Sequence, residues 1–450
     1  MQSIDINDVI KTIQGTAVGP TCGSITSICT DTRKLIPGAL FFALKGENTD
    51  GHIYVKNALN AGALAVVVEK EIPDLSGTQL IVPDALHALG VLASYYRSRF
   101  HIPMIGLTGS VGKTSTREMI ACALSSRYKT HSNAKNYNNE IGVPLTLFGL
   151  EEKHQAGVLE MAMRGKGQIA SLAQMVKPTV GIITNIGLSH IEILGSRDEI
   201  AQAKSELLEY LPDDGFVALN AEDDYFDLLS MKAPCRVVSY GIEKRTDLCA
   251  SGITFRNGGE PSFMINGRPI NLRIPGVHHI INATAACAVA VSLGVSVEES
   301  IEALEEYDAP EMRLQVLHTP FEHTVLNDTY NAAPDSMRSA LETLRVIGRG
   351  KGRTVAILGD MKELGDRSEA AHRYVGEMAG ACCTGPVITV GDDSLHISRS
   401  AATILGSDQV VHFTSMAEAM EQIPALLHNG DIVLIKGSRA MQMERLLDIL

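Results

Sequence analysis

The sequence predicts an α/β protein of three domains. Its 450 residues exceed what one core organises, and about 150 residues per domain gives about three. Short unbroken apolar runs, each followed by a helical stretch, recur along most of the chain; such runs suit parallel strands covered on both faces. The alternation is interrupted at Val82-Pro83 and again at "YDAPEMR", which puts the predicted domains at 1–83, 84–309 and 310–450.

In the first segment "ALFFALKG" reads as a strand, "YVKNALNAGA" as a helix and "LAVVVE" as another strand. The helical "DALHALGVLASYYRSRF" opens the second. There "MIGLTG", "AGVLEMA", "TVGIITNI" and "FVALN" are predicted buried strands, with helices such as "RDEIAQAKSELLEYL" between them. A β-rich insert follows, and Asn257-Gly258 and Asn266-Gly267 are its hairpin signals, because both residue types accept positive φ. In the third segment "HTVLND", "TVAILGD", "PVITVG" and "DIVLIKG" each precede a helical stretch, which predicts a second doubly wound, Rossmann-like sheet.

Composition narrows the function. A net charge of −13 and a pI near 5.6 argue against a nucleic-acid-binding surface, so any anionic ligand must be met by local donors. The longest apolar-rich stretch, "NATAACAVAVSLGV", is shorter than the ~20 residues that cross a membrane. The first residues, "MQSIDINDVIKTIQG", carry no basic-then-apolar signal. Eight cysteines without a CxxC pair read as reduced core thiols of a cytoplasmic protein.

Chemistry first shows in "MIGLTGSVGKTSTRE". A strand ending at Thr108 runs into Gly109, Ser110, Val111, Gly112, Lys113, Thr114 and Ser115 and then a helix. That is a P-loop, which predicts a nucleotide-binding central domain. Its glycines let backbone N–H groups converge on phosphate at a positive helix end, and Lys113 reaches the outer oxygens. Thr114 puts a hydroxyl where Mg²⁺ is held. Leu107 stands where the longer form of the motif has glycine, so this is the shorter TGxxGKT form. Three further residues have two readings each. Glu160 ends a predicted strand, as a Mg²⁺-binding acid would, but acids there are more often solvated boundary residues. His190 follows another strand on the same sheet edge; a lone histidine is usually structural, although ligands collect at that edge. By spacing alone Lys204 reads as a surface lysine.

"TGSVGKTS", "NYNNEIGVPLTL", "LEMAMRGKGQIA", "TNIGLSHIEILGSRDEIAQAKSELL", "PGVHHIINATAA", "NDTYNAAPDSM", "LGDMKELGD" and "IKGSRAMQME" follow one another in the order and spacing of the Mur ligases, and the chain resembles that family over essentially its whole length. The resemblance implies an N-terminal α/β domain for a UDP-sugar, a central ATP domain, and a closing C-terminal domain. It implies that Glu160 and His190 hold Mg²⁺ with Thr114. It also implies that Lys204 becomes a carbamate, as in many members, and serves a second Mg²⁺. Thr32, Arg33, Lys45, Gly46, Asp50, Gly51 and His52 in "CTDTRKLIPGALFFALKGENTDGH" match a UDP grip, with Asn138 and Asn139 also on the UDP-substrate side. Asn282 matches an adenine contact, Arg313 a phosphate-reaching arginine and Asp328 a ribose-binding acid. Tyr330, Asn331, Lys436, Ser438 and Arg439 fall on the amine side.

Two positions depart from the family pattern: His279 where asparagine is frequent, and Ala333 where a second asparagine is frequent. The implied catalytic set is Lys113, His190, Lys204 and Arg313. The implied reaction activates a carboxylate as an acyl phosphate with ATP and lets an amine displace phosphate. The chain lacks the Asp-Asn-Pro-Arg motif of the ligase that adds the third peptide residue, and Tyr330-Asn331-Ala332 stands where that enzyme has Tyr-Ala-His. The resemblance implies a UDP-N-acetylmuramoyl-tripeptide and D-Ala-D-Ala as substrates, and a monomer is expected. A P-loop small-molecule kinase would account for Lys113 and Glu160 but not for the first and third domains.

Overall fold

The computed structural model describes residues 1–46, 49–134, 136–256 and 258–450. Three α/β units follow one another along the chain. The first holds a five-stranded sheet ordered Thr16–Val18, Thr78–Ile81, Ala65–Val68, Ala39–Phe42, Ser27–Cys29, parallel except for its first pair. Ala39–Phe42 and Ala65–Val68 are buried at every residue, as their unbroken apolar runs require.

The central sheet has nine strands. One end of it is Phe216–Asn220, Val180–Ile183, Met104–Thr108, Ala156–Glu160 and, at the edge, Thr130–Ser132, all parallel. From Met104–Thr108 the chain builds first to one side and then to the other. The loop after that strand therefore lies at the reversal point, where carboxyl ends of parallel strands leave a crevice. The β-rich insert lengthens this sheet through Leu248–Phe255, Pro261–Ile265 and Arg268–Asn271. Asn266 (φ 48°) and Gly267 (φ 80°) form the expected hairpin turn. Asn257, of the other hairpin signal, lies outside the described residues.

The third unit is a six-stranded sheet in which Thr324–Asn327, Ile432–Lys436, Thr354–Gly359 and Val387–Val390 are the four predicted strands, parallel and adjacent in that order. Apolar clusters cover both of its faces.

Helix Ala85–Arg97, capped by Asp84 accepting from His87 N at 2.9 Å, joins the first two units. It packs on Ile6–Ile13 on one side and on Gly142–Leu147 and Gln168–Val176 on the other. One apolar cluster consequently runs from Ile4 to Leu229 through Leu89, Leu92 and Tyr96.

No helix among the described residues is long and apolar enough to cross a membrane, and "NATAACAVAVSLGV" falls mostly in helix His278–Ser292. All eight cysteines are free thiols. The expectation that they are core residues holds for Cys29, Cys287, Cys382 and Cys383, holds in part for the half-buried Cys122, Cys235 and Cys249, and fails for Cys22, which is exposed just before Ser24–Ile25.

Candidate active site

The P-loop is shaped by what lies behind it. Gly112, at φ 79°, caps helix Lys113–Leu124, and a side chain on Gly109 would begin 1.9 Å from Thr184 Oγ1. The neighbouring strand end clasps the loop. Asn185 Oδ1 accepts from Val111 N (2.9 Å), Asn185 Nδ2 donates to Val111 O (3.0 Å), Asn185 O accepts from Ser110 N (3.0 Å), and Thr184 Oγ1 donates to Val111 O (2.8 Å). Lys113 Nζ folds back onto Gly109 O (2.8 Å) and Ser110 O (3.1 Å). Burial lowers its pKa, Glu160 opposes that, and Arg313 adds to it.

Glu160 is not a solvated boundary residue. It is buried, because it ends a strand with parallel neighbours and its backbone is tied to Asn133, whose Oδ1 accepts from Glu160 N at 2.7 Å. Its carboxylate accepts from Thr114 Oγ1 (2.9 Å) and Asn138 Nδ2 (2.8 Å) and lies 3.5 Å from Arg117 Nη1. Arg313 reaches across from the third unit and donates to Thr114 Oγ1 (3.2 Å), with its guanidinium carbon 3.9 Å from the Tyr330 ring centre.

The surface reading of Lys204 fails. The residue is 2% exposed, and Nζ donates to Gly109 O at 2.9 Å. Burial, then the charge of Lys113, pushes its pKa well below that of an ordinary lysine. His190 starts the short helix Ile191–Leu194 in a left-handed conformation (φ 64°). Burial lowers its pKa, as do Lys113 and Lys204, and the charge of Glu363 opposes them. Its Nδ1 lies 2.9 Å from Glu363 Oε2 of the third unit, at ion-pair distance but off hydrogen-bond alignment.

Thr114 and Glu160 offer hard oxygens of the kind Mg²⁺ takes. No group of three or more His, Cys, Asp or Glu side chains among the described residues could hold a metal. A Mg²⁺ here would thus complete its shell with phosphate, substrate or water oxygens, as that ion commonly does.

Asn282 Oδ1 lies 3.1 Å from the point where a side chain on Gly112 would start, and its buried Nδ2 has no partner among the described residues. That orphaned amide fits a nucleobase contact. His279 is buried with both ring nitrogens unpartnered among the described residues, and burial takes its neighbour His278 down to about 4. On the third unit Lys436 Nζ donates to Asp328 Oδ2 (2.5 Å) and Asn331 O (2.9 Å). Asp328 and Lys436, read separately as ribose-side and amine-side, are therefore partners. Ser438 Oγ accepts from Lys362 N (2.9 Å), and Arg439 pairs with Glu444 (2.7 Å).

The first-unit candidates form two groups. Lys45 pairs with Glu69, His52 Nδ1 lies 2.6 Å from Asp50 Oδ1, and His52 Nε2 accepts from Glu69 N (3.1 Å). Gly46 N donates to Thr49 O (2.9 Å), and Gly51 passes too close to Leu44 to carry a side chain. Thr32 and Arg33 belong to the separate turn Thr32–Lys34, where Arg33, its side chain 87% exposed, holds the Asp31 carboxyl down at about 2. Asn139 Oδ1 accepts from Gly142 N (2.9 Å) at the start of helix Gly142–Leu147.

Family models match three stretches of the chain: the Mur ligase catalytic domain at 24–97, the Mur ligase middle domain at 107–290 and the Mur ligase glutamate ligase domain at 312–439. The chain belongs to the Mur ligase family. It is similar to the UDP-N-acetylmuramoyl-tripeptide–D-alanyl-D-alanine ligases of Bacillus subtilis (34% identical, covering 98% of this chain and 97% of that one) and Escherichia coli (33%, 99% and 97%). A crystal structure of MurF from Acinetobacter baumannii superposes with a TM-score of 0.91 at 31% identity, covering 99% of this chain and 98% of that one. As a Mur ligase the protein is an ATP-dependent peptide ligase.

Several contacts of this Mur ligase were not anticipated from its sequence: Asn185 clasping the P-loop, Asn133 and Arg117 at Glu160, Glu69 between Lys45 and His52, and Glu363 at His190. Each depends on a neighbour distant in the chain.

Proposed function

We propose that this Mur ligase joins the amine of D-Ala-D-Ala to the terminal carboxylate of a UDP-N-acetylmuramoyl-tripeptide, at the expense of ATP, in cytoplasmic peptidoglycan precursor synthesis, as a monomer. The observation that carries the reading is end-to-end likeness, over at least 97% of both chains, to relatives bearing that activity in their names.

A carboxylate at neutral pH is a poor electrophile. Its oxygen attacks the γ-phosphorus of ATP, ADP leaves, and the acyl phosphate is then attacked by the dipeptide amine. A C–N bond forms, the amine loses a proton and inorganic phosphate departs. Lys113 and the P-loop N–H groups hold the triphosphate, Asn282 meets the base, and Asp328 takes the ribose. Arg313 brings positive charge from the closing domain to the phosphates. Thr114, Glu160 and His190 would hold Mg²⁺, which when bound neutralises phosphate charge. Thr32, Arg33, Lys45, Gly46, Asp50, Gly51 and His52 would grip the UDP, with Asn138 and Asn139 on the substrate side. Tyr330, Asn331, Lys436, Ser438 and Arg439 lie toward the amine. Closure of the third domain keeps water from the acyl phosphate.

Lys204 supports a carbamate. Its amine has no carboxylate partner among the described residues and lies beside Lys113, so it is most readily buried neutral. A neutral amine adds CO₂, releasing one proton, and the product is an anionic oxygen donor for a second Mg²⁺.

Phosphate release with UDP-N-acetylmuramoyl-tripeptides ending in lysine or diaminopimelate, with and without D-Ala-D-Ala, tests the reading. Release that requires both substrates supports it, and ATP consumption indifferent to both overturns it. Loss of ligation in Lys204→Ala, with rescue by short-chain acids, tests the carbamate.

A further inference from the structure

The segment "LGDMKELGD" leaves strand Thr354–Gly359 and is pinned from behind. The buried Asp360 accepts from Ser394 N (2.8 Å) and Lys362 Nζ (2.8 Å), and Lys362 Nζ also reaches Asp393 (3.0 Å). Met361 N donates to His372 Nε2 (2.9 Å), and Lys362 N to Ser438 Oγ (2.9 Å). A loop anchored at so many points presents its tip in a set position.

That tip meets the central domain at His190. Glu363 Oε2 lies 2.9 Å from His190 Nδ1, and a side chain on Gly365 would begin 3.0 Å from Glu192 Cγ. Both partners sit in left-handed backbone, Glu363 at φ 65° and His190 at φ 64°, which disfavours residues with a Cβ. The Glu363 side chain is 50% exposed, and an ion pair so open to water adds little to folding. Strain kept at both ends of a weak pair calls for a purpose other than stability.

We propose that Glu363 is a positioning residue: from the C-terminal domain the charge of its carboxylate, 2.9 Å from Nδ1, favours the His190 proton on that nitrogen and leaves Nε2 bare to ligate, so that this ligand is set only when the domain is closed. This rests on the reading of His190 as a Mg²⁺ ligand. A ligating imidazole is commonly oriented by a carboxylate on its other nitrogen. Here that carboxylate comes from the moving domain, so closure and metal capture become one event.

The test uses the full chain. Imidazole ¹⁵N spectra at about pH 8, where an ordinary histidine is neutral, report which His190 nitrogen carries the proton. Free Mn²⁺, followed by electron paramagnetic resonance with a non-hydrolysable ATP analogue, reports metal affinity without turnover. Glu363→Ala is expected to move the proton toward Nε2 and weaken Mn²⁺ binding about 10- to 100-fold. Glu363→Gln, which keeps the shape but loses the charge, should move both readouts the same way, and a parent-like Glu363→Gln would overturn the role of that charge. Unchanged tautomer and Mn²⁺ affinity in Glu363→Ala overturn the proposal. If His190→Ala loses Mn²⁺ while Glu363→Ala does not, only the role of Glu363 falls. If His190→Ala binds Mn²⁺ as the parent does, the ligand reading of His190 falls with it.

Discussion

Asn185→Ala isolates how far the nucleotide cradle depends on its clasp. The substitution removes the acceptor for Val111 N at 2.9 Å and the donor to Val111 O at 3.0 Å, while the backbone bond from Ser110 N to Asn185 O stays. At a net 0.5–1.5 kcal/mol each, two lost hydrogen bonds amount to about 1–3 kcal/mol. Because the loop is partly exposed, water replaces those partners in the ligand-free protein. The loss is therefore expected in nucleotide binding more than in melting temperature. A coupling of that size corresponds to about 5- to 150-fold weaker ATP binding, measurable by calorimetry with a non-hydrolysable analogue at fixed Mg²⁺. Asn185→Asp keeps an acceptor but brings a negative charge beside the phosphates, and should bind more weakly still. ATP affinity within about twofold of the parent in Asn185→Ala, an interval below the smallest bond contribution used, would refute the clasp.

Gly187→Ala should lower kcat with nucleotide affinity kept, since the new methyl carbon would sit 2.5 Å from Asp335 Oδ2 of the third domain; adding Asp335→Ala should restore turnover, and a fall in ATP affinity instead would count against a closure contact. Tyr330→Leu removes the ring stacked 3.9 Å from Arg313. A cation–π contact of about 0.5–2 kcal/mol predicts a roughly 2- to 30-fold loss in kcat/KM that Tyr330→Phe largely spares. His372 accepts from Met361 N and has Nδ1 2.7 Å from Ser368 O, so the fold needs it neutral, and burial lowers its pKa below 6.5. Its stabilising effect is complete above pH 6.5 and is lost as pH falls from there through the folded-state value. His372→Gln should therefore melt lower at pH 7.5 and lose less on acidification, which fluorimetric melting between about pH 5 and 7.5 will show; an unchanged slope would remove His372 from the account.

Strands were the most legible feature of this chain. "ALFFALKG", "TVGIITNI" and "TVAILGD" announce parallel strands because both faces are covered and every residue must be apolar. The P-loop was legible because its chemistry is local: glycine, lysine and threonine act within one turn. Lys204 was misjudged from spacing, although spacing held the clue. Ile200, Ala203 and Lys204 recur at i, i+3 and i+4 on the inward stripe of their helix, and the buried Leu207 and Leu208 continue it into the 3₁₀ turn that follows. Asn185, Asn133 and Glu363 left no such clue. Their roles arise where the sheet order sets a strand end beside the P-loop, or where one domain touches another.

The long helix Ala85–Arg97 has a bearing on how the protein is made. It ties the first unit into an apolar mass that is complete only once Leu229 is present. At translation speeds of 5–20 residues per second, roughly 10 to 50 s pass before that mass can close on the nascent chain. Until then Leu89, Leu92 and Tyr96 lack part of their shelter, so apolar surface stays open through the first half of synthesis, and the second cluster of the central lobe closes only once Tyr307 has emerged. The last lobe, with its own cores on both faces of its sheet, can mature independently of them.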